Sequence, residues 1–174
     1  MLSLSYDLHI HSCLSPCGDD DMTPANITGL AALIGLDVIA VTDHNSCKNC
    51  PAVMKAAAPL GLTVIPGMEL TTSEEVHVLC LFETLEDAMA FDALVEQRLI
   101  PFPNNEEIFG RQTICGPDDS VIGTFPNLLI NATDISIDHV FQLTERYHGI
   151  MIPAHIDKDS TSLLSNLGFI PPDS

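Results

Sequence analysis

Apolar and polar residues alternate along Leu2-Ser3-Leu4-Ser5-Tyr6, the period-two pattern of a strand with one face buried. The strand is expected to lead into Asp7-Leu8-His9-Ile10-His11. Side chains alternate along a strand, so His9 and His11 share a face. A loop from Ser12 to Met22, rich in Cys, Pro, Gly and Asp, comes next. Thr23 stands in an N-cap position with Pro24 at the first helical position. Ile27, Leu30, Ala31 and Ile34 then recur at helical spacing and predict the buried face of a helix that Gly35 ends. Asp37-Val38-Ile39-Ala40-Val41 is nearly continuous in apolar residues, as in a strand covered on both faces. Strand, helix and strand in this order predict a βαβ unit with parallel strands and a right-handed crossover.

The rhythm continues. The pattern predicts a short helix over 51–58 and a third strand, Leu62-Thr63-Val64-Ile65, leading to Gly67-Met68-Glu69. A fourth strand follows over Val76–Phe82, then a helix capped by Thr84 with Asp87 and running to about Arg98. Residues 101–134 break the pattern. Gln112-Thr113-Ile114 and Val121-Ile122-Gly123 flank Gly116-Pro117-Asp118-Asp119, the signature of a small hairpin inside an insertion. Ser136 caps a last helix with Ile137, Val140, Phe141 and Thr144 on one face, and Gly149–Pro153 forms a fifth strand that leads to Ala154-His155. The expected architecture is a single α/β domain over residues 1–174 with a mostly parallel sheet.

A chain of 174 residues with 46% hydrophobic residues and a mean hydropathy of +0.26 is long and apolar enough for a substantial core. No apolar run approaches the roughly 20 residues of a membrane helix, and no basic-then-apolar leader opens the chain. The expectation is a cytoplasmic protein that does not engage a membrane. Its six cysteines are then expected to be reduced or metal-bound rather than paired in disulfides. The net charge is −18, with only six Lys plus Arg. Such a surface repels a nucleic-acid backbone, so no nucleic-acid binding is expected. An anionic small substrate would need a local reversal of sign, which bound divalent cations supply.

The chemistry-bearing residues fall in one kind of place. His9, His11, Asp43-His44, Glu69 and His155 lie at or just beyond the C-terminal ends of predicted strands, and His77 lies in the fourth strand. In α/β barrels that rim is where active sites are built. Five of the seven histidines belong to this set; His139 and His148, on the last helix, are assigned structural or surface roles. Imidazoles mixed with a carboxylate suit Zn²⁺, Mn²⁺ or Fe²⁺ better than Mg²⁺ or Ca²⁺.

On Asp7-Leu8-His9-Ile10-His11-Ser12, Ala40-Val41-Thr42-Asp43-His44, Gly67-Met68-Glu69, His77 and Pro153-Ala154-His155, the chain resembles the PHP (polymerase and histidinol phosphatase) family of metal-dependent phosphoesterases. The resemblance implies a distorted (β/α)7 TIM-like barrel holding two or three divalent metal ions, Zn, Mn or Fe, at its rim. It implies His9, His11 and Glu69 around a first ion, and His44 with a loop acid around a second. A third would be held by His77 and His155, with Glu69 as a bridge. Ungapped counting back from His44 selects Asp19 as the loop acid, with Asp20 and Asp21 as alternatives. The implied activity is hydrolysis of a small phosphomonoester or nucleotide by metal-bound hydroxide, with Asp43, His44 and Glu69 as candidate catalytic residues. Asp43 is read as orienting a ligand histidine. Arg111 and Lys158 are among the few cations available to touch a phosphate.

The chain departs from the family pattern after His155, where no Asp-x-His motif follows. The barrel is therefore expected to lack its C-terminal strands and the domain to be C-terminally incomplete. An oligomer is one way to cover the open edge this leaves. Cys13 and Cys17 fall in the loop after the first strand, and Cys47 and Cys50 in the loop after the second. Either the four bind a further Zn²⁺ or an iron–sulfur cluster, or they are reduced thiols or include one redox-labile pair. Two rival functions remain in view: a catalytically silent metal-binding module with a regulatory or structural role, and an amidohydrolase-like C–N hydrolase. No candidate carbamylated lysine follows a middle strand, which weighs against the second. Substrate specificity is expected to reside partly in the 101–134 insertion.

Overall fold

The first half of the chain folds as its strand–helix rhythm requires. In the computed structural model, which describes residues 3–170, strand β1 (Tyr6–Ile10) pairs in parallel with β2 (Val38–Val41), and β2 with β3 (Thr63–Thr71). Leu2, where the predicted opening strand begins, and the chain end at residues 171–174 lie outside the described residues. Helix α1 (Pro24–Ile34) crosses from β1 to β2, and α2 (Cys50–Ala57), extended by a 3-10 turn (Ala58–Leu60), crosses from β2 to β3. Thr23 and Gly35 bound α1 as their residue types predict, although the Thr23 hydroxyl goes to Asp119 of the insertion rather than to the helix.

The second half corrects the expectation of a parallel sheet. Strand β4 (His77–Phe82) runs antiparallel to β3, and β7 (Gly149–Pro153) runs antiparallel to β4, in a five-stranded sheet of order β1-β2-β3-β4-β7. The reason is chain length. Only Thr72–Val76 separates β3 from β4, and a parallel return needs a crossover of a dozen or more residues. The reversal keeps the chemistry together: the start of β4 lies beside the end of β3, with His77 paired to Thr71. His77 thus joins the C-terminal rim of the parallel strands from the opposite chain direction. Among the described residues no strand joins β7 back to β1, so this α/β fold is an open, mixed-sheet form of the distorted barrel.

Helices cover one face of the sheet. Helix α3 (Leu85–Arg98) and α5 (Ile137–Arg146) bury Phe91, Val95 and Val140 against Met68, Val78 and Phe82, while Ile27 and Ala31 of α1 meet Val53 and Ala57 of α2 over Ile39 and Val41. The opposite face carries Glu69, Leu79 and Ile152 in register across β3, β4 and β7. Two predicted helix faces are turned from expectation. Leu30 and Ile34 are exposed on α1, which buries Pro24, Ile27, Thr28 and Ala31 instead; Phe141 is exposed on α5.

The 101–134 segment contains a four-residue helix, α4 (Glu106–Phe109), and a hairpin of β5 (Thr113–Cys115) with β6 (Val121–Thr124). Its Phe125 and Leu129 pack on Leu14 and Leu99. A last short helix, α6 (Leu163–Asn166), follows β7. No helix among the described residues is long and apolar enough to cross a membrane.

Candidate metal centre

Glu69 is the hub of the rim. It sits near the end of β3, 1% exposed, and both of its carboxylate oxygens face imidazoles. Oε1 lies 3.2 Å from His9 Nε2, 3.1 Å from His77 Nδ1 and 3.3 Å from His155 Nε2. Oε2 lies 3.2 Å from His11 Nε2 and 3.3 Å from His44 Nδ1. One carboxylate therefore divides five imidazoles into a set of three and a set of two. Each arrives from a different element: His9 from β1, His11 just beyond it, His44 after β2, His77 from the start of β4 and His155 after β7. His155 reaches the site from a left-handed backbone with φ of 27°, a conformation costly for a residue with a Cβ and characteristic of functional positions.

The electrostatics follow from this crowding. Burial alone would raise the carboxyl of Glu69, but hydrogen bonds to His11, His77 and His9 outweigh it and hold the group well below the usual carboxylate range. Burial pushes His44 down to about 3, and His155 is also lowered, chiefly by burial. His11 goes the other way: burial would lower it, but Cys17 and Glu69 outweigh that and raise it to about 10.

The residues fit a group of divalent cations. His44 Nδ1 and His155 Nδ1 are buried without a hydrogen-bond partner, since the 3.3 Å approach of His44 to Glu69 lacks hydrogen-bond geometry. His9 Nε2 and His11 Nε2 face each other at 3.2 Å. Ring nitrogens crowded around one carboxylate, two of them buried without a partner, are costly to leave unsatisfied, and a bound cation removes that cost. Three groups place a ligand atom of every member within 4.8 Å of the others: His9–His11–Glu69, His44–Glu69–His77 and His11–Cys17–His44. The first and second correspond to ligand sets the sequence anticipates in part. The third was not anticipated.

Other candidate residues lie elsewhere. Asp19 does not reach the cluster: it accepts a hydrogen bond from the Asp21 amide, and both acids line a separate surface cleft with Met22 and Leu30. Asp20 pairs with Arg111 at 3.0 Å, so neither of these enters the centre. The cause is a tight turn at Gly18, whose backbone packs against the Ser12 carbonyl so closely that no side chain fits. The turn leaves Cys17 as the loop residue facing the imidazoles. The four-cysteine cluster is not formed. Cys13 Sγ lies 3.5 Å from Cys115 Sγ, and Cys47 and Cys50 both direct their thiols at the Gly67 carbonyl.

Asp43 is 1% exposed and does not line the cleft. It accepts from the Ser12 amide and hydroxyl and from the Ser15 hydroxyl, and burial raises its carboxyl against the pull of these bonds. Ser15 in turn contacts His11 Nδ1 at 3.1 Å and the His44 amide at 3.0 Å. Asp43 thus reaches His11 and His44 only through Ser15. Sequence reading missed Ser15, and also Asn49, whose side chain ties Ser12 to the backbone of Thr113 and Cys115 in the insertion. Asp92 was missed too; it accepts from Ser46, the Cys47 amide and Lys48 and so holds the loop after β2. Lone polar residues in helices and loops carry no periodic signal to find them by.

The cluster opens into a cleft of about 490 Å³ that is also lined by Ile130, Lys158, Ser160 and Thr161. Lys158 is the cation placed there. A buried carboxylate ringed by imidazoles at the floor of such a cleft is a ligand set suited to divalent metal ions.

Comparison with known proteins agrees. An "Uncharacterized protein" of Methanocaldococcus jannaschii is 31% identical over 100 residues, covering 52% of this chain and 58% of that protein. The 5'-3' exoribonuclease Rnm of Salmonella typhimurium is 30% identical over 97 residues, covering 53% of this chain and 32% of its own. The chain thus spans about half or less of the length of these relatives. Among solved structures, a lesion-specific endonuclease of Pyrococcus furiosus superposes with a TM-score of 0.65 at 23% identity, covering 92% of this chain and 36% of that one. The model of the PHP domain matches residues 7–158, a span that runs from β1 past His155 and takes in every imidazole of the cluster, and the chain belongs to that family.

Proposed function

We propose that the protein is a metal-dependent phosphoesterase that hydrolyses a small phosphomonoester or nucleotide. The observation that carries the reading is the partition of five imidazoles between the two oxygens of Glu69, at the floor of a cleft that also presents Lys158. His9, His11, His44, Glu69, His77 and His155 would hold two or three divalent ions. Bound there, the ions would supply an activated water and neutralise charge on the phosphoryl oxygens.

The chain's own groups supply the rest. Lys158 attracts and orients the phosphate in a molecule whose net charge is −18. Ser160, which lines the same cleft, offers its hydroxyl to a phosphoryl oxygen. Ile130, which lines the same cleft, limits the size of the leaving group. Glu69, held ionised by its imidazoles, keeps its oxygens available as ligands. The acidic surface favours a small substrate over a long nucleic-acid backbone.

A second reading has a specific support. The Salmonella relative is a 5'-3' exoribonuclease, and by that likeness the scissile bond here would be a phosphodiester at a strand end. Phosphate release from p-nitrophenyl phosphate and nucleoside monophosphates, beside cleavage of a 5'-phosphorylated oligonucleotide, separates the two. Metal-loaded protein active on none of these, with cyclic amides also inert, would leave a non-catalytic metal-binding role. The substitutions His9→Ala and Glu69→Ala are expected to abolish turnover, and unchanged rates in either would overturn the reading.

A further inference from the structure

We propose that the Cys17 thiolate is a metal ligand of this centre, acting with His44, so that one of its ions is a thiolate-binding divalent cation. The inference rests on the metal-dependent reading above and adds to it a ligand from the loop after β1. Cys17 lines the same cleft as the five imidazoles, and its sulfur lies within 4.8 Å of a ring nitrogen of both His11 and His44. Donors around a tetrahedral zinc with Zn–S of about 2.3 Å and Zn–N of about 2.0 Å stand roughly 3.5 Å apart. The Cys17 side chain is exposed and not in a disulfide, so rotation of its thiol can close that gap.

A second, independent observation points to a ligand at the same place. His44 is 3% exposed, lines the cleft, and has a buried Nδ1 with no hydrogen-bond partner. A neutral imidazole so placed presents a lone pair or an unpaired N–H, and a metal ion removes the cost of either. His11 cannot satisfy every neighbour. Its Nδ1 is taken by Ser15 and its Nε2 points to Glu69 and His9, so its single free lone pair serves one ion only. Cys17 and His44 are then the donors left over for an adjacent ion.

The loop leaves no other candidate for this position. Asp19 and Asp21 line a different cleft, and Asp20 is paired with Arg111. A thiolate in place of a carboxylate changes the preference of the site. Sulfur favours zinc, iron(II) and cobalt over manganese and magnesium. The thiol gives its proton to solvent as the metal binds.

The test is cobalt(II) loading of the full chain, read by absorption and by elemental stoichiometry, in the wild type and in the Cys17→Ser and Cys17→Asp variants. A cobalt–thiolate bond gives a near-ultraviolet charge-transfer band that imidazole and carboxylate ligation do not. The wild type is expected to show the band and Cys17→Ser to lose it, together with about 10- to 100-fold in affinity for one equivalent of cobalt. Cys17→Asp is expected to recover that equivalent without the band. Cobalt bound by the wild type with no such band, or a band that survives unchanged in Cys17→Ser, overturns the role of Cys17 while leaving the imidazole centre standing. A wild type that binds no cobalt overturns both.

Discussion

Ser15 gives its only hydroxyl proton to Asp43, at 2.7 Å, and so has none left for the imidazole beside it. Its oxygen must therefore accept, both from the His44 amide and from His11 Nδ1. This fixes a proton on His11 Nδ1, assigned from the network, and leaves Nε2, on the Glu69 side of the cleft, as the nitrogen that can ligate once a metal displaces its proton. Replacing Ser15 by Ala removes that control. Metal affinity is expected to fall about 10- to 100-fold, with about 1–3 kcal/mol lost in stability from the unmade buried bonds. Competition with a chromophoric chelator reads the affinity, and ring ¹⁵N shifts of His11 read the tautomer. Unchanged shifts in Ser15→Ala would show that something else sets the ring.

Lys158 stands on the cleft wall in a chain that has six Lys plus Arg in all. Lys158→Met removes the charge and keeps most of the stem. KM for a phosphorylated substrate is expected to rise about tenfold, roughly 1.4 kcal/mol of lost binding, with a smaller change in kcat and no loss of bound metal. Arg111→Met, which unpairs Asp20 at the surface, is expected to leave both constants unchanged. Steady-state kinetics on the two variants side by side check the assignment, and equal effects would remove Lys158 from the site.

Much of this was legible along the chain, for reasons that can be named. The β1–α1–β2 unit follows from residue types at its boundaries, and the rim was visible because five histidines and Glu69 all end up at one side of the sheet. The orientation of α1 was not legible. Leu30, Leu33 and Ile34 are as apolar as Ile27 and Ala31, so periodicity alone leaves the buried stripe open. Thr28 turns inward because its hydroxyl bonds back to the Pro24 carbonyl. The direction of β4 was readable from the five-residue connection Thr72–Val76, but strand pattern by itself says nothing of direction. The choice of Asp19 failed at Gly18, where a turn that counting cannot see redirects the loop.

Glu74 lies in that same short connection and caps α5 from outside. Its carboxylate accepts from the Ser136 hydroxyl at 2.7 Å and from the Ile137 amide at 3.0 Å. Burial is the largest single influence and works against ionisation, but the hydrogen bonds, led by these two, together outweigh it and lower its pKa. A carboxyl depressed in the folded state adds stability that is fully present above its unfolded value, about 4.3. That stability is lost as pH falls through the lower folded value. Glu74→Gln is expected to cost about 0.5–1 kcal/mol near neutrality, little because the group is largely solvated, and nothing at a pH where wild-type Glu74 is itself protonated. Denaturant midpoints of the two proteins across pH 2–7 check this, and a difference that persists at the acid end would mean that packing, not charge, is responsible.

Gly67 sits two residues before Glu69 on β3, opposite Leu81 of β4. A Cβ there would stand 2.6 Å from the Cys80 carbonyl oxygen and 2.7 Å from Leu81 Cδ2. The leucine side chain can turn away; the carbonyl belongs to the ladder and cannot. Gly67→Ala is therefore expected to force β3 and β4 apart locally and cost about 1–3 kcal/mol, a fall in Tm of roughly 2–4 °C for each kcal/mol in a chain of this length. The same displacement acts on the site, because β3 carries Glu69 and β4 begins at His77, whose ring it holds at 3.1 Å. Metal affinity should fall with stability in this variant. In Phe91→Ala, which empties the core between α3 and the helix-covered face of the sheet, stability should fall by about 3–5 kcal/mol while the metal affinity of the remaining folded protein stays close to wild type. Thermal melts paired with metal titrations read both quantities. If Gly67→Ala loses stability but keeps full affinity, the spacing of β3 and β4 does not govern the distance between Glu69 and His77.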